Sequence, residues 1–258
     1  MKIYKAYAKV NIFLKITGKR DNYHEIISRF MKVYALNDEL SFEQKVKESD
    51  SFEIIGDFSC DTKQNTIYKA YLALQEEVKS SALEKLMQTY SIKVEKKIPA
   101  FAGLGGGSSD GATYLKMCNE VLHLGLSQNE LAIIGLKVGA DVPFFIYDYD
   151  SANVSGIGEI VEEFHEEILE FEITTPQIEI STPKVYQSYR EYFYNPIDIE
   201  EKDKLKNMTS NDILENMKAD EANDLFKPAL QEYKELKNHY RYGTYFSGSG
   251  SSFFRLSK

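Results

Sequence analysis

The chain has 258 residues, enough to bury a substantial core as one large domain or two modest ones. Hydrophobic residues make up 43% and charged residues 28% of it, an ordinary globular composition that excludes fibrous and disordered classes. The formal charge of -9 at pH 7 opposes a general nucleic-acid binder, which needs a basic face to neutralise phosphates, although local basic groups can still hold a small phosphate ligand.

Only Cys60 and Cys118 are present, far apart, giving no disulfide framework and no metal or redox pair, so both are expected to be reduced thiols. Lys2, Lys5 and Lys9 interrupt the N-terminal segment, and apolar runs such as Val142 to Tyr147 fall far short of the roughly 20 residues that cross a bilayer. A cytoplasmic protein with no membrane segment is expected.

In chain order, Ala8, Val10, Ile12, Leu14 and Ile16 alternate with mostly polar residues, the period of a half-buried strand. Gly18 to Asn22 reads as a turn, and Phe30 to Phe42 as a second β-rich stretch. Asn65 to Val78 has helical spacing through Ile67, Tyr71 and Leu74, whereas Tyr90 to Glu95 alternates again. After a glycine-rich loop, Ala112, Leu115, Cys118 and Leu122 mark a helix face. Ser127 and Glu130 form a capping box for another helix, which Gly139 ends, leaving Asp141 just beyond it. Past Tyr149 the chain turns acidic, with Glu162, Glu163, Glu166, Glu167 and Glu170 ahead of a short strand at Phe171 to Thr174. That cluster lacks ligand spacing and is expected to be a solvated face. A domain boundary is expected near residue 150.

Gly103, Gly105, Gly106 and Gly107, followed by Ser108 and Ser109, stand between a predicted strand and a predicted helix. Without Cβ atoms the backbone N–H groups can approach an anion, and the helix N-terminus adds its positive dipole end. The two hydroxyls can hydrogen-bond phosphate, or one can cap the helix. The loop is not a Walker A sequence, which needs lysine after its final glycine, nor the dinucleotide fingerprint, which needs glycine at Ser108. A flexible helix-entry loop is the alternative.

Together with Ala8 to Asn11, Gly18 to His24 and Gly139 to Phe145, this loop resembles the GHMP kinase superfamily, most closely the members that phosphorylate a cytidylylated methylerythritol. The likeness covers most of residues 1–150 and little of the rest. It implies an α+β fold of two domains, the first like domain 2 of ribosomal protein S5 and the second ferredoxin-like, with the active site between them. The implied reaction transfers the ATP γ-phosphate, accompanied by magnesium, to the 2-hydroxyl of 4-diphosphocytidyl-2-C-methyl-D-erythritol in the non-mevalonate route to isoprenoid precursors. Lys9 and Asp141 match the catalytic pair, the carboxylate orienting or deprotonating the hydroxyl while the ammonium offsets charge on the phosphoryl group. By themselves they read as an exposed strand lysine and a turn residue.

The same likeness assigns ATP to Asn65, Lys96 and the run Pro99, Ala100, Phe101, Ala102, Gly103, Leu104, Gly105, Gly106, Gly107, Ser108 and Ser109. Outside that pattern Asn65 is a helix cap and Lys96 a solvated strand-end lysine. Substrate contacts fall on Asn11, Tyr23, His24, Phe30, Asp141, Pro183 and Tyr186, with Tyr23 and Tyr186 facing the cytosine. No side chain is assigned to a metal. Tyr186 stands where many relatives have phenylalanine. Ala100 to Ala102 and Gly111 depart from common forms, which bears on the adenine contacts. Ser247 to Ser252 resembles a late glycine motif beside the active site, or else a flexible tail. The chain stops soon after it, so a shortened second domain is expected. Mevalonate- or homoserine-type kinases and a non-catalytic nucleotide-binding regulator stay open as alternatives, and a monomer or weak homodimer is expected.

Overall fold

Two long strands open the fold, β1 (Tyr4–Arg20) and β2 (Tyr23–Gln44), which pair with each other. The turn between them is tighter than the sequence suggests, only Asp21 and Asn22 standing outside the strands, with Asp21 at φ 53. Nor is β1 half-buried: from Ala8 to Ile16 every residue is buried, Lys9, Asn11 and Lys15 included. Period-two alternation in this strand therefore separates apolar from polar burial, not inside from outside.

The computed structural model describes residues 2–257, and the chain divides into two compact units. The first comprises Met1–Ala8, Leu36–Ile98 and Gly105–Asp148; the second Lys9–Ala35, Pro99–Leu104 and Tyr149–Lys258. One crossing, after Asp148, lies beside the boundary expected near 150. The others interleave the units, so each is discontinuous in sequence.

In the first unit the last part of β2 pairs antiparallel with β4 (Tyr90–Glu95), Leu40 opposite Val94, and the short β3 (Ile54–Ile55) runs parallel to β4. Its helices are α1 (Thr66–Val78), α2 (Ser81–Thr89), α3 (Gly106–Val121), α4 (Gln128–Leu136) and α5 (Val142–Tyr147). Helix α3 packs against α1, α4 and α5 and is buried at every residue from Ser109 to Leu115, more completely than the single apolar stripe expected. Ser127 and Glu130 form the expected capping box at the start of α4.

In the second unit β5 (Ser151–Gly156) pairs antiparallel with the first part of β2, Phe30 opposite Ala152, and β6 (Ile160–Glu163) follows on β5. After β7 (Phe171–Thr174) come α6 (Thr182–Ser188), a π-helical turn at Tyr189–Phe193, α7 (Ile199–Asn207), α8 (Ser210–Asn216), α9 (Ala219–Ala222) and α10 (Phe226–Glu232). Strands β8 (Tyr245–Phe246) and β9 (Phe253–Leu256) complete a three-stranded sheet in the order β7-β9-β8. Its core gathers Leu14, Ile16, Val185, Phe226, Phe246 and Phe253.

The acidic stretch is not uniformly solvated. The Glu166 side chain is 4% exposed and accepts hydrogen bonds from Arg29 at 3.2 Å, Ser151 Oγ at 2.6 Å, and Ser210 N and Oγ at 2.6 and 2.7 Å. The Arg29 side chain is fully buried; burial lowers its pKa and Glu166 acts against that shift. Breaking one side of a buried ion pair strands the other charge. Glu166→Ala should therefore cost about 3 to 5 kcal/mol in a denaturant titration, whereas the exposed pair of Glu162 with Lys206 should contribute less than about 1 kcal/mol.

Candidate active site

Lys9 sits in the middle of β1 at 3% exposure, not at the surface where an isolated strand lysine belongs. Its ammonium donates to Asn11 Oδ1 at 2.5 Å and to the Gly103 carbonyl at 3.1 Å, and lies 4.5 Å from the centroid of the Phe30 ring. An ammonium removed from water is costly unless oxygens or an aromatic face replace the lost hydration, and here both do. Asn11 is held in turn, donating from Nδ2 to Ser28 Oγ at 2.9 Å. Asn11 and Phe30 are about 1% exposed, and both contact Lys9.

The Gly103 carbonyl also accepts from Ser247 Oγ at 2.9 Å. A Cβ on Gly103, at φ 73, would stand 2.1 Å from the Ser247 carbonyl oxygen, so only glycine fits. Ser251 and Ser252 donate backbone N–H to the carbonyls of Phe101 and Ala102 at 3.1 and 3.0 Å. The motif of Ser247 to Ser252 is thus laced to the loop and is not a flexible tail. Phe101, half exposed at φ 53, is held in a conformation that costs a non-glycine residue about 1 to 3 kcal/mol.

Past Gly105 the loop enters α3. Ser109 N makes the first turn-closing bond, to Gly105 O at 2.8 Å, so the N–H groups of Gly106, Gly107 and Ser108 precede the helical ladder. Such N–H groups, with no Cβ over Gly106 and Gly107, suit a phosphate, and the loop fits an ATP triphosphate on that ground. Ser108 is partly exposed, whereas Ser109 is buried. A Cβ on Gly139 would stand 3.9 Å from Ser108 Oγ, so the segment carrying Asp141 abuts the loop's first serine. Asp141 is the residue preceding α5, partly exposed, and makes no capping bond there. Among the described residues no group of His, Cys, Asp or Glu side chains is arranged to hold a metal ion.

Asn65 caps α1, its Oδ1 accepting from Ile67 N at 2.9 Å. Lys96 is not solvated. Its ammonium donates to Asp38 and, at 2.7 Å, to Asp110 Oδ2, and Asp38 Oδ1 also accepts from the N–H groups of Lys97 and Ile98 at 2.5 and 2.8 Å. Asp110 Oδ1 is buried without a hydrogen-bond partner. Burial pushes the Asp110 carboxyl up to about 7; Lys96 opposes the shift and Asp38 reinforces it. For Lys96, burial lowers the pKa, but the two carboxylates outweigh it and the net shift is upward. Neither Asp38 nor Asp110 carries a sequence motif; an acidic residue directly after the loop's serines was the one available sign.

In the second unit Tyr23 is exposed at 63% while His24 is buried at 7%. The His24 ring stacks on Tyr186 at 5.2 Å and meets Tyr189 edge-on at 5.7 Å. Its Nε2 is buried without a hydrogen-bond partner. Burial, then Arg190 and Lys19, hold the imidazole below its ordinary pKa. Pro183 lies in the first turn of α6, the helix that carries Tyr186.

Residues 65–149 match the model of the GHMP kinases N terminal domain. The 4-diphosphocytidyl-2-C-methyl-D-erythritol kinase of Sulfurimonas denitrificans is 69% identical, over 100% of this chain and 98% of its own length. The enzyme of the same name from Campylobacter jejuni serotype O:6 is 42% identical over 98% of this chain and 100% of its own length. A crystal structure of 4-(cytidine 5'-diphospho)-2C-methyl-D-erythritol kinase superposes with a TM-score of 0.72 at 27% identity, covering 100% of this chain and 90% of that one. A mevalonate kinase structure reaches 0.62 at 13% identity, covering 100% and 92%, a likeness of fold alone.

Because the folded state raises the pKa of Asp110, it holds a proton that the unfolded chain releases near the ordinary value of 3.8. The stabilisation is full below that value and is lost as pH rises toward about 7. Asp110→Asn should accordingly raise Tm by a few degrees at about pH 8 and change it little near pH 4, followed by thermal unfolding monitored by circular dichroism.

Proposed function

The chain belongs to the 4-diphosphocytidyl-2-C-methyl-D-erythritol kinases of the GHMP kinase superfamily, and from that membership we propose how its residues divide the reaction. The reaction is transfer of a phosphoryl group from ATP to the 2-hydroxyl of 4-diphosphocytidyl-2-C-methyl-D-erythritol, a step of the non-mevalonate route to isoprenoid precursors. The observation that carries the function is 69% identity over the whole chain to a relative of that name.

Mg-ATP, when bound, supplies the phosphoryl group. The N–H groups of Gly106, Gly107 and Ser108 and the Ser108 hydroxyl receive the phosphates, with Pro99 to Leu104 shaping the approach; Asn65 and Lys96 flank the nucleoside side. Asp141 accepts the hydrogen bond of the acceptor hydroxyl and takes its proton as the oxygen attacks. Lys9, fixed by Asn11 and Gly103, offsets charge developing on the phosphoryl oxygens. Tyr23 and Tyr186 stack on the cytosine and His24 reads its edge, a role its unpartnered Nε2 supports, since a neutral imidazole can accept or donate there. Residues 1–150 then supply the nucleotide site and catalytic groups, and residues 151–258 the closing segment around Pro183.

Mevalonate- or homoserine-type specificity would leave the Tyr23-His24 aromatic group without a base to receive. A non-catalytic regulator would have no use for both Lys9 and Asp141. Incubation with Mg-ATP and, separately, cytidylylated methylerythritol, mevalonate and homoserine should release ADP with the first acceptor only; turnover with another alcohol alone would refute the substrate assignment. Asp141→Asn should lower kcat by roughly 10²- to 10⁴-fold with Tm unchanged, and near-normal turnover would remove Asp141 from the chemistry.

A further inference from the structure

The charge group at Lys96 holds more acid than its lysine can neutralise. Lys96 brings one ammonium to two carboxylates, and Asp38 is filled by three donors: Lys96 Nζ, Lys97 N and Ile98 N. Asp110, about 2% exposed, has one oxygen on Lys96 and the other buried without a partner. The lysine also reaches the loop, its Nζ lying 3.6 Å from where a Cβ on Gly106 would stand. Asp110 itself belongs to the N-terminal part of α3, directly after Ser109.

We infer that Asp110 is a positioning residue for nucleotide binding: with Asp38 it pins the Lys96 ammonium against the first residue of α3, and its own charge sets how strongly that turn takes phosphate. The inference rests on the assignment of the loop to the phosphates of ATP.

An ionised Asp110 leaves the group with a net negative charge beside N–H groups that must receive an anion; protonated, it leaves the group neutral. Burial already brings that proton within reach of neutral pH. Bound phosphates favour the protonated carboxyl further, so nucleotide binding draws a proton from solvent onto Asp110. Lys96 and Asp38 are the charged groups that act on this carboxyl; among the described residues, α1, α4 and α5, which pack on α3, add none. Lys97 is turned to Glu39 and Glu95. Asn in place of Asp110 keeps an oxygen for Lys96 while removing the charge.

The test is calorimetric titration of the full chain with Mg-ADP, without acceptor, at about pH 6 and about pH 8, in two buffers of different ionisation heat. The wild type should bind with uptake of a fraction of a proton at the higher pH. Asp110→Asn should bind roughly three- to tenfold tighter than wild type at the higher pH, about equally at the lower, and without that uptake. Weaker binding by the variant at both pH values would make Asp110 a packing strut and overturn the inference. Wild-type binding with no proton uptake would overturn it too, and that measurement decides the matter even if the variant does not fold. Failure of the wild type to bind Mg-ADP at either pH would refute the loop assignment itself, and the inference with it.

Discussion

A lysine ammonium cannot lie inside a protein without oxygens around it, and much of the second unit is arranged to meet that requirement at Lys9. One oxygen comes from β1 itself, through Asn11, and one from the backbone of the loop, through Gly103. The Gly103 carbonyl is fixed from its other side by Ser247, and the strict glycine at 103 follows from how closely that segment approaches. Strand, loop and late glycine motif thus share one carbonyl. Displacing any of them would disturb the acceptors that hold the Lys9 ammonium.

Two other cations, Arg29 fully buried and Lys96 partly so, show how differently the same requirement can be met. Arg29 is matched by Glu166 and further satisfied by Asn153 and the carbonyls of Lys206 and Met208; it ties β2 to the segments after β6 and α7. Lys96 is instead over-matched, with two carboxylates on one ammonium and one carboxylate oxygen unanswered. A satisfied network rigidifies, whereas an incompletely satisfied one has a second protonation state within reach. The first belongs to architecture. The second adjoins the start of α3.

Much of this was legible in the sequence, because glycine runs and strand periodicity are local. The loop from Gly103 to Ser109, the strand at Tyr90–Glu95, helix α1 and the capping box of Ser127 with Glu130 appear where their patterns put them. Burial of polar residues was not legible, since it depends on partners distant in sequence. Lys9 reads as exposed until the Gly103 carbonyl is beside it, and Glu166 as solvated until Arg29 is. Asn11 and Phe30 match substrate-lining positions, and their contact with Lys9 was not visible in the sequence. Asp38 and Asp110 meet across Lys96 from separate elements, a coincidence no spacing rule anticipates. The interleaving of the two units likewise escapes composition, which changes only once, near residue 150.

The lacing of Ser247 to Ser252 onto the loop also bears on the order in which the surroundings of Lys9 can form. Lys9 is made before Gly103 and Gly103 before Ser247, which orients the carbonyl they share. Strand β9, whose partner β7 is made some eighty residues sooner, arrives later still. A nascent chain can therefore hold all segments of the first unit, α3 included, while the lysine of the second still lacks its fixed acceptor. The setting of Lys9, on the first strand of the fold, thus depends on a residue 144 places after Gly103, a contact of long sequence separation that forms late.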